Sequence, residues 1–355
     1  MVRNFLLVVS VLHWSRVCSW IKQAAGAVGA LQKGLTMLRR RETAKSSAWA
    51  RMANGICAAF VGLGLAGPAL AGPFETTLLG AGQLFSNNAL GDNLDRWQTG
   101  GVAASWVYGR KAASWAEAQA PGQVIELRFG GRVVAPANLV APGVDRLYAG
   151  ALSLGAHTHY QTKGWDVAMG LDLMMTGPQT GLDDFHSNLH RIPGIPGVAP
   201  GVSAAQVDNG LHPTFVMELG RDIALGPVQL RPFVEARAGA ETLVRLGGDL
   251  TFGRVGSGEL LVRDEVTGQR YRAVTDPMPG FAFVLGGDIA AVKSSVFFPA
   301  RSPVTMEDSR SRVRAGLHWQ GQKHAAFYGV TWASEEFTTQ SEGQVIGSFQ
   351  IDFNF

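Results

Sequence analysis

What most constrains this chain is a set of strand-like segments with one apolar face and one charged face. Arg312, Arg314, Gly316 and His318 alternate with Val313, Ala315, Leu317 and Trp319. Gln229, Arg231, Phe233, Glu235 and Arg237 alternate in the same way with Val228, Leu230, Pro232, Val234 and Ala236. Asp166, Ala168, Gly170 and Asp172 alternate with Trp165, Val167, Met169, Leu171 and Leu173. A period of two is the signature of a strand, but a soluble sandwich alternates too. The charges decide. A row of arginines and carboxylates is costly in a dry core and natural in a polar lumen. The fold class is therefore all-β, a transmembrane antiparallel β-barrel.

The last segment agrees. Val345, Gly347, Phe349, Ile351, Phe353 and Phe355 share one face, and Gln344, Ile346, Ser348, Gln350, Asp352 and Asn354 the other. A terminal phenylalanine on the apolar face resembles the last strand of bacterial outer-membrane proteins. Counting alternating segments between residues 74 and 355 gives twelve strands, an even number that lets a closed barrel keep both ends on one side. One stretch fits badly. Residues 254–278 would form a long turn at the end that holds the termini, unless a strand is miscounted or the barrel carries an inner loop.

An export signal precedes the strands. Arg51 supplies positive charge, Ile56 to Leu65 form a short apolar core, and Ala69-Leu70-Ala71 fits an A-x-A cleavage site. Residues 52–71 are thus expected to be a signal peptide and residues 72–355 the barrel domain. Residues 1–51 are either upstream of a start at Met52 or a long N-terminal extension, basic or amphipathic. The only cysteines, Cys18 and Cys57, precede the expected cut, which excludes a disulfide framework and a thiol nucleophile in the barrel. A formal net charge of +3 and the lack of a basic stripe give no support to nucleic-acid binding.

Residues 177–192 break the strand rhythm. Leu182, Phe185 and Leu189 follow the helical period, so they share an apolar stripe, and His186 and His190 share another face. Gly177-Pro178 and Pro193 punctuate the segment, and Asp183 and Asp184 suit a helix N-terminus. The prediction is a short helix in an extracellular loop. Barrel closure also brings to this rim Asn87, Asn88, Asp92 and Asp95, with Thr99 opening the second strand, and Asp145-Arg146. No nucleophile-elbow pattern or Ser-His-Asp arrangement accompanies them.

At these positions the chain resembles the lipid A 3-O-deacylases of the Gram-negative outer membrane, the LpxR family. The resemblance rests on S-N-N-A-L at 86–90, D-R-W-Q-T-G-G at 95–101, D-R-L-Y-A-G at 145–150, the whole of 177–192, and E-E-F at 335–337. It implies a twelve-stranded barrel that removes an ester-linked acyl chain from lipid A, with calcium stabilising the oxyanion. The lipid is the partner, the protein is a monomer, and the site faces outward from the outer membrane. By the same resemblance His190 is the base that activates water, Asn87 and Thr99 stand near calcium and substrate, and Arg146 contacts the substrate. Asn88 stands where the family usually has aspartate, and His186 where it usually has glutamine. The first departure removes a charge from a calcium ligand set of Asn87, Asn88 and Asp92, for which Asp92 or Asp95 would have to compensate. The second creates a His-x-x-x-His spacing that also suits a transition metal. Read without the resemblance, Asn87-Asn88 is a turn signal and Arg146 a rim charge or a partner of Asp145. The rival function is a catalytically silent lipopolysaccharide-binding barrel or a small pore.

Overall fold

The computed structural model describes residues 76–110, 114–191, 196–256, 258–276 and 278–353. The expected N-terminal extension, signal peptide and cleavage point, Pro193 and the terminal Phe355 lie outside them. Fifteen strands appear: β1 Thr76–Asn87, β2 Trp97–Arg110, β3 Val124–Ala135, β4 Ala149–Thr162, β5 Trp165–Thr176, β6 Gly210–Gly220, β7 Ile223–Leu225, β8 Val228–Ala238, β9 Glu241–Gly253, β10 Leu260–Arg263, β11 Arg270–Val274, β12 Gly280–Ser295, β13 Ser309–Gln320, β14 His324–Ala333 and β15 Gln344–Phe353. Twelve of them form a closed antiparallel wall, sealed where β1 pairs with β15 and β6 with β8. The short β7 extends the β6–β8 hairpin. No described helix is long and apolar enough to cross a membrane.

The pleat sorts the side chains as the alternation requires. Val313, Leu317 and Trp319 of β13 are exposed on the outside, whereas Arg312, Arg314 and His318 are buried inside. The inner arginines meet carboxylates. Asp288 takes Arg245, Arg312 and Arg314, Asp249 takes Arg314 and Arg263, and Glu235 takes Arg237 and Arg245. Burying this many charges is tolerable only because each finds a counter-charge.

The described residues of 254–278 settle the stretch that fitted badly: they turn inward. Hairpin β10–β11 lies in the lumen against the inner face of β1 and β2, where Leu260, Val262, Tyr271 and Ala273 pack on Leu84, Ala103 and Val107. Its backbone runs close to β1. A Cβ on Gly82 would stand 2.1 Å from the Arg272 carbonyl oxygen, and one on Gly80 2.4 Å from that of Ala273. Arg263 of the hairpin reaches Glu218 and Asp249, and Arg272 pairs with Glu259. Gln350 of β15 clasps Arg272 through both backbone groups, at 3.1 Å each. The hairpin therefore bridges the seam between β1 and β15, whose register spans only Phe85 to Asn87.

Two helices occupy the long loop after β5: α1, Leu182–Arg191, and α2, Pro200–Ala204. Asp183 and Asp184 sit in the first turn of α1, as the sequence pattern predicts. Its apolar stripe is only partly covered. Leu182 rests on the wall, while Phe185 and Leu189 are exposed.

Candidate active site

The rim opposite the start of β1 and the end of β15 carries the described parts of the loops 88–96, 136–148, 177–209, 296–308 and 334–343. In β4 the even positions from Gly150 to Ala156 point outward, the odd ones inward. Gly150 is outward, and Leu182 covers it so closely that a Cβ there would meet Leu182 Cβ at 2.8 Å. Helix α1 therefore packs on the outside of the wall, over β3 and β4, and the histidine face is enclosed between helix and barrel.

Three donor atoms converge in that gap. His190 Nε2 stands 2.8 Å and His186 Nε2 3.4 Å from Asp95 Oδ2. The other ring nitrogens are committed elsewhere: His190 Nδ1 donates to the Pro196 carbonyl at 2.7 Å, and His186 Nδ1 to the Tyr148 hydroxyl at 3.4 Å. Tyr148 in turn donates to the Leu182 carbonyl. Burial and the nearby carboxylates Asp183 and Asp95 push the Tyr148 phenol up, so it stays protonated and keeps that role. With each Nδ1 carrying a proton, both Nε2 atoms face the same carboxylate oxygen, which accepts a proton-bearing Nε2 when a histidine is charged and meets a bare lone pair when it is neutral. A proton or a divalent cation completes such a group. Burial raises the Asp95 carboxyl, but a hydrogen bond and positive charge from His186, charge on His190 and a hydrogen bond from Thr99 outweigh it and hold it below 3.8.

Local backbone explains how Asp95 and Thr99 come to face the histidines. Trp97 is in the left-handed region at φ 54°, and the β2–β3 register slips between Gln98 and Gly100. Such a bulge re-aims one side chain, here Thr99. The strained Trp97 is held by Phe337, edge-on at 6.3 Å, and by the Arg96 guanidinium 4.1 Å over its ring. Thr99 Oγ1 and Asn88 Oδ1 are buried and have no hydrogen-bond partner of ordinary geometry, although Thr99 acts on Asp95. Asn88 Nδ2 donates to the Arg96 carbonyl at 2.8 Å, which ties it to the Asp95 turn.

The remaining residues singled out from sequence are placed differently. Asn87 caps the turn at 88–90 by accepting from the Ala89 amide. Both Asp92 oxygens accept from backbone, Oδ1 from Leu94 and Oδ2 from Val345. Those two thus act as turn formers. Arg146, 2% exposed, turns into the lumen and pairs with Glu336, with its guanidinium 4.7 Å over the Phe298 ring. Asp145 accepts instead from the Ala137 and Arg146 amides. Glu336, to which sequence reading assigned nothing beyond a loop edge, also receives Gln98 and Arg310. Burial pushes its carboxyl up, but Arg146 and Arg310 outweigh that and hold it below 4.5. Strand counting alone places Asp95 at this rim, whereas Tyr148 and Glu336 are findable only as members of the short motifs D-R-L-Y-A-G and E-E-F.

The model of the family described as outer membrane protein LpxR matches residues 57–355. The structure is similar to that of LpxR from Salmonella typhimurium, with a TM-score of 0.62 at 15% identity, covering 78% of this chain and 99% of that one. The NanC porin (TM-score 0.37, 6% identity, 78% of this chain and 99% of that) and the KdgM porin (0.34, 6%, 77% and 99%) are more distant. No curated protein sequence matches the chain.

Proposed function

The chain belongs to the LpxR family of outer membrane proteins, and on that premise we propose that it is an outer-membrane esterase that removes an acyl chain from lipid A. The observation that carries this reading is the convergence of His190, His186 and Asp95 between α1 and the outer wall, where a membrane lipid has access. In this reading the rim holding the site, opposite the start of β1 and the end of β15, faces outward.

His190 is the general base. The Pro196 carbonyl holds its Nδ1 proton, so Nε2 is the nitrogen that takes a proton from the attacking water. Asp95 stabilises the positive charge that His190 acquires, and Tyr148 fixes the ring of His186 beside it. A divalent cation fits the orphaned oxygens here. Asp95 would hold it with Asn88 and Thr99, and Asn87 and Asp92 would shape the turn that presents them. Calcium bound there would supply a charge sink for the oxyanion of ester hydrolysis. Arg146 is assigned a structural role, anchoring its loop to Glu336, in place of the substrate contact that the family resemblance implies. The filled lumen argues against the pore reading.

The test is mass spectrometry of lipid A from Gram-negative cells with and without the protein, in calcium-replete medium. Loss of one ester-linked acyl chain is expected, and His190→Ala should abolish it. Unchanged lipid A from cells carrying the folded wild-type barrel would refute the assignment.

A further inference from the structure

Among the described residues, nothing covers one side of α1. Phe185 is 52% exposed and Leu189 38%, although the other sides of the helix are occupied or polar. At about 100° per residue, Phe185 and Leu189 lie within about 40° of each other, and the two histidines lie about 100° further round, towards Asp95. Asp184 and Asn188, both exposed, fall on the side away from the wall. The bare apolar strip therefore lies at the flank of the helix, between the barrel surface and the polar crest.

That flank is continuous with the outer surface of the wall. The β4–β5–β6 register sets Leu152, Met175 and Leu211 at one level, two residues along β4 from the Gly150 that α1 covers. Two residues of strand span about 6.6 Å. Leu211 at that level is 62% exposed, and Leu171, Leu173 and Leu154 below it are also bare. Those leucines form the face that a twelve-stranded barrel of this family turns to lipid. The contact of α1 with the wall at Gly150 thus lies about two strand residues from the lipid-facing belt.

We propose that α1 is an interfacial helix: Phe185 and Leu189 enter the hydrocarbon edge of the bilayer leaflet at this rim, and Asp184 and Asn188 lie in headgroup water. The occupant is bulk lipid, by continuity with the belt. Amphipathic helices bind membrane surfaces in this manner, with the apolar face sunk about 5–10 Å into the boundary. Here the consequence is positional, because the histidine face lies beside the sunken strip, so the site opens at the depth of a lipid's ester linkages. The proposal does not depend on the chain being a hydrolase.

The experiment is site-directed spin labelling of the full chain reconstituted in phosphatidylcholine vesicles, with Cys18 and Cys57 replaced by serine. Nitroxides are placed singly through Phe185→Cys, Leu189→Cys, Asn188→Cys and, as the belt reference, Leu171→Cys. Positions 185 and 189 should match 171, with high collision rates with oxygen and low rates with a water-soluble nickel chelate. Their oxygen-to-nickel ratio should exceed that at 188 several-fold. Nickel access at 185 or 189 equal to that at 188 overturns the proposal. If a cysteine variant fails to fold, hydroxyl-radical footprinting of the unaltered chain in vesicles decides. Phe185 should be oxidised no faster than Phe215 of the belt, and oxidation several-fold faster overturns it.

Discussion

Replacing Gly82 by alanine should release the inner hairpin while leaving the wall intact. A Cβ at that position would stand 2.1 Å from the Arg272 carbonyl oxygen, 2.9 Å from its carbon and 3.0 Å from Ala273 Cα. All three are backbone atoms, so no rotamer change relieves the contact, and β11 must move by about 1.4 Å to reach an ordinary contact distance of about 3.5 Å. Overpacking of this kind costs about 1–3 kcal/mol. The move also pulls on the two Gln350 hydrogen bonds to Arg272, each worth about 1 kcal/mol net. The sum, about 3–5 kcal/mol, corresponds to a rise of about two to three and a half powers of ten in the open population. Trypsin reads it, because Arg263 and Arg270 flank the hairpin turn and are shielded only while it is seated. The barrel would be folded in detergent and digested, with cleavage within 254–278 followed by mass spectrometry and single-channel conductance measured in parallel. Gly248→Ala is the control, since its nearest neighbour would be the Arg231 carbonyl oxygen at an ordinary 3.7 Å. Wild-type resistance to trypsin in a folded Gly82→Ala barrel would refute the claim that close approach to β1 seats the plug.

Asp95→Asn should lower lipid A hydrolysis at least about a hundredfold with the barrel still folded, the scale of losing an electrostatic stabiliser in a preorganised site, read by mass spectrometry of lipid A. Chelation by EDTA should remove the activity and added calcium restore it, while Asn88→Asp should lower the calcium concentration that gives half-maximal rate, as an added carboxylate would. Glu336→Gln should strip the buried Arg146 of its counter-charge and cost about 3–5 kcal/mol, seen as a lower thermal midpoint. In the wild type the Glu336 carboxyl titrates below 4.5 in the folded barrel. Its contribution is thus complete above the unfolded value and lost as pH falls through the folded one. The thermal midpoint should therefore fall on acidification below about pH 4.5, and Glu336→Gln should remove that part of the slope.

The wall was legible because a pleated strand writes its two environments at alternate residues, lipid outside and charge inside. Where that contrast fails, reading fails. Hairpin β10–β11 lies wholly in the lumen, with Leu260 and Val262 against the inner face of the wall and Arg263 and Arg272 in ion pairs. It has no lipid face, so its pattern matches neither a wall strand nor a turn. The same logic governs the site. Helical spacing put His186 and His190 on one face, and both do face a common oxygen. Their shared partner follows from a register slip at Thr99 and a left-handed Trp97, and neither leaves a periodic mark. Arg146 shows the limit most sharply. As a charge next to a hairpin turn it reads as rim, but barrel closure brings Glu336, 190 residues away, against it and turns it inward. Closure acts on both sides of the wall at this rim. It gathers arginine and glutamate inside to brace the loops, and outside it leaves a histidine pair facing one carboxylate at the lipid boundary. A variant that unseats the inner group should therefore disturb the outer one through Trp97, whose ring packs on Phe337 next to Glu336.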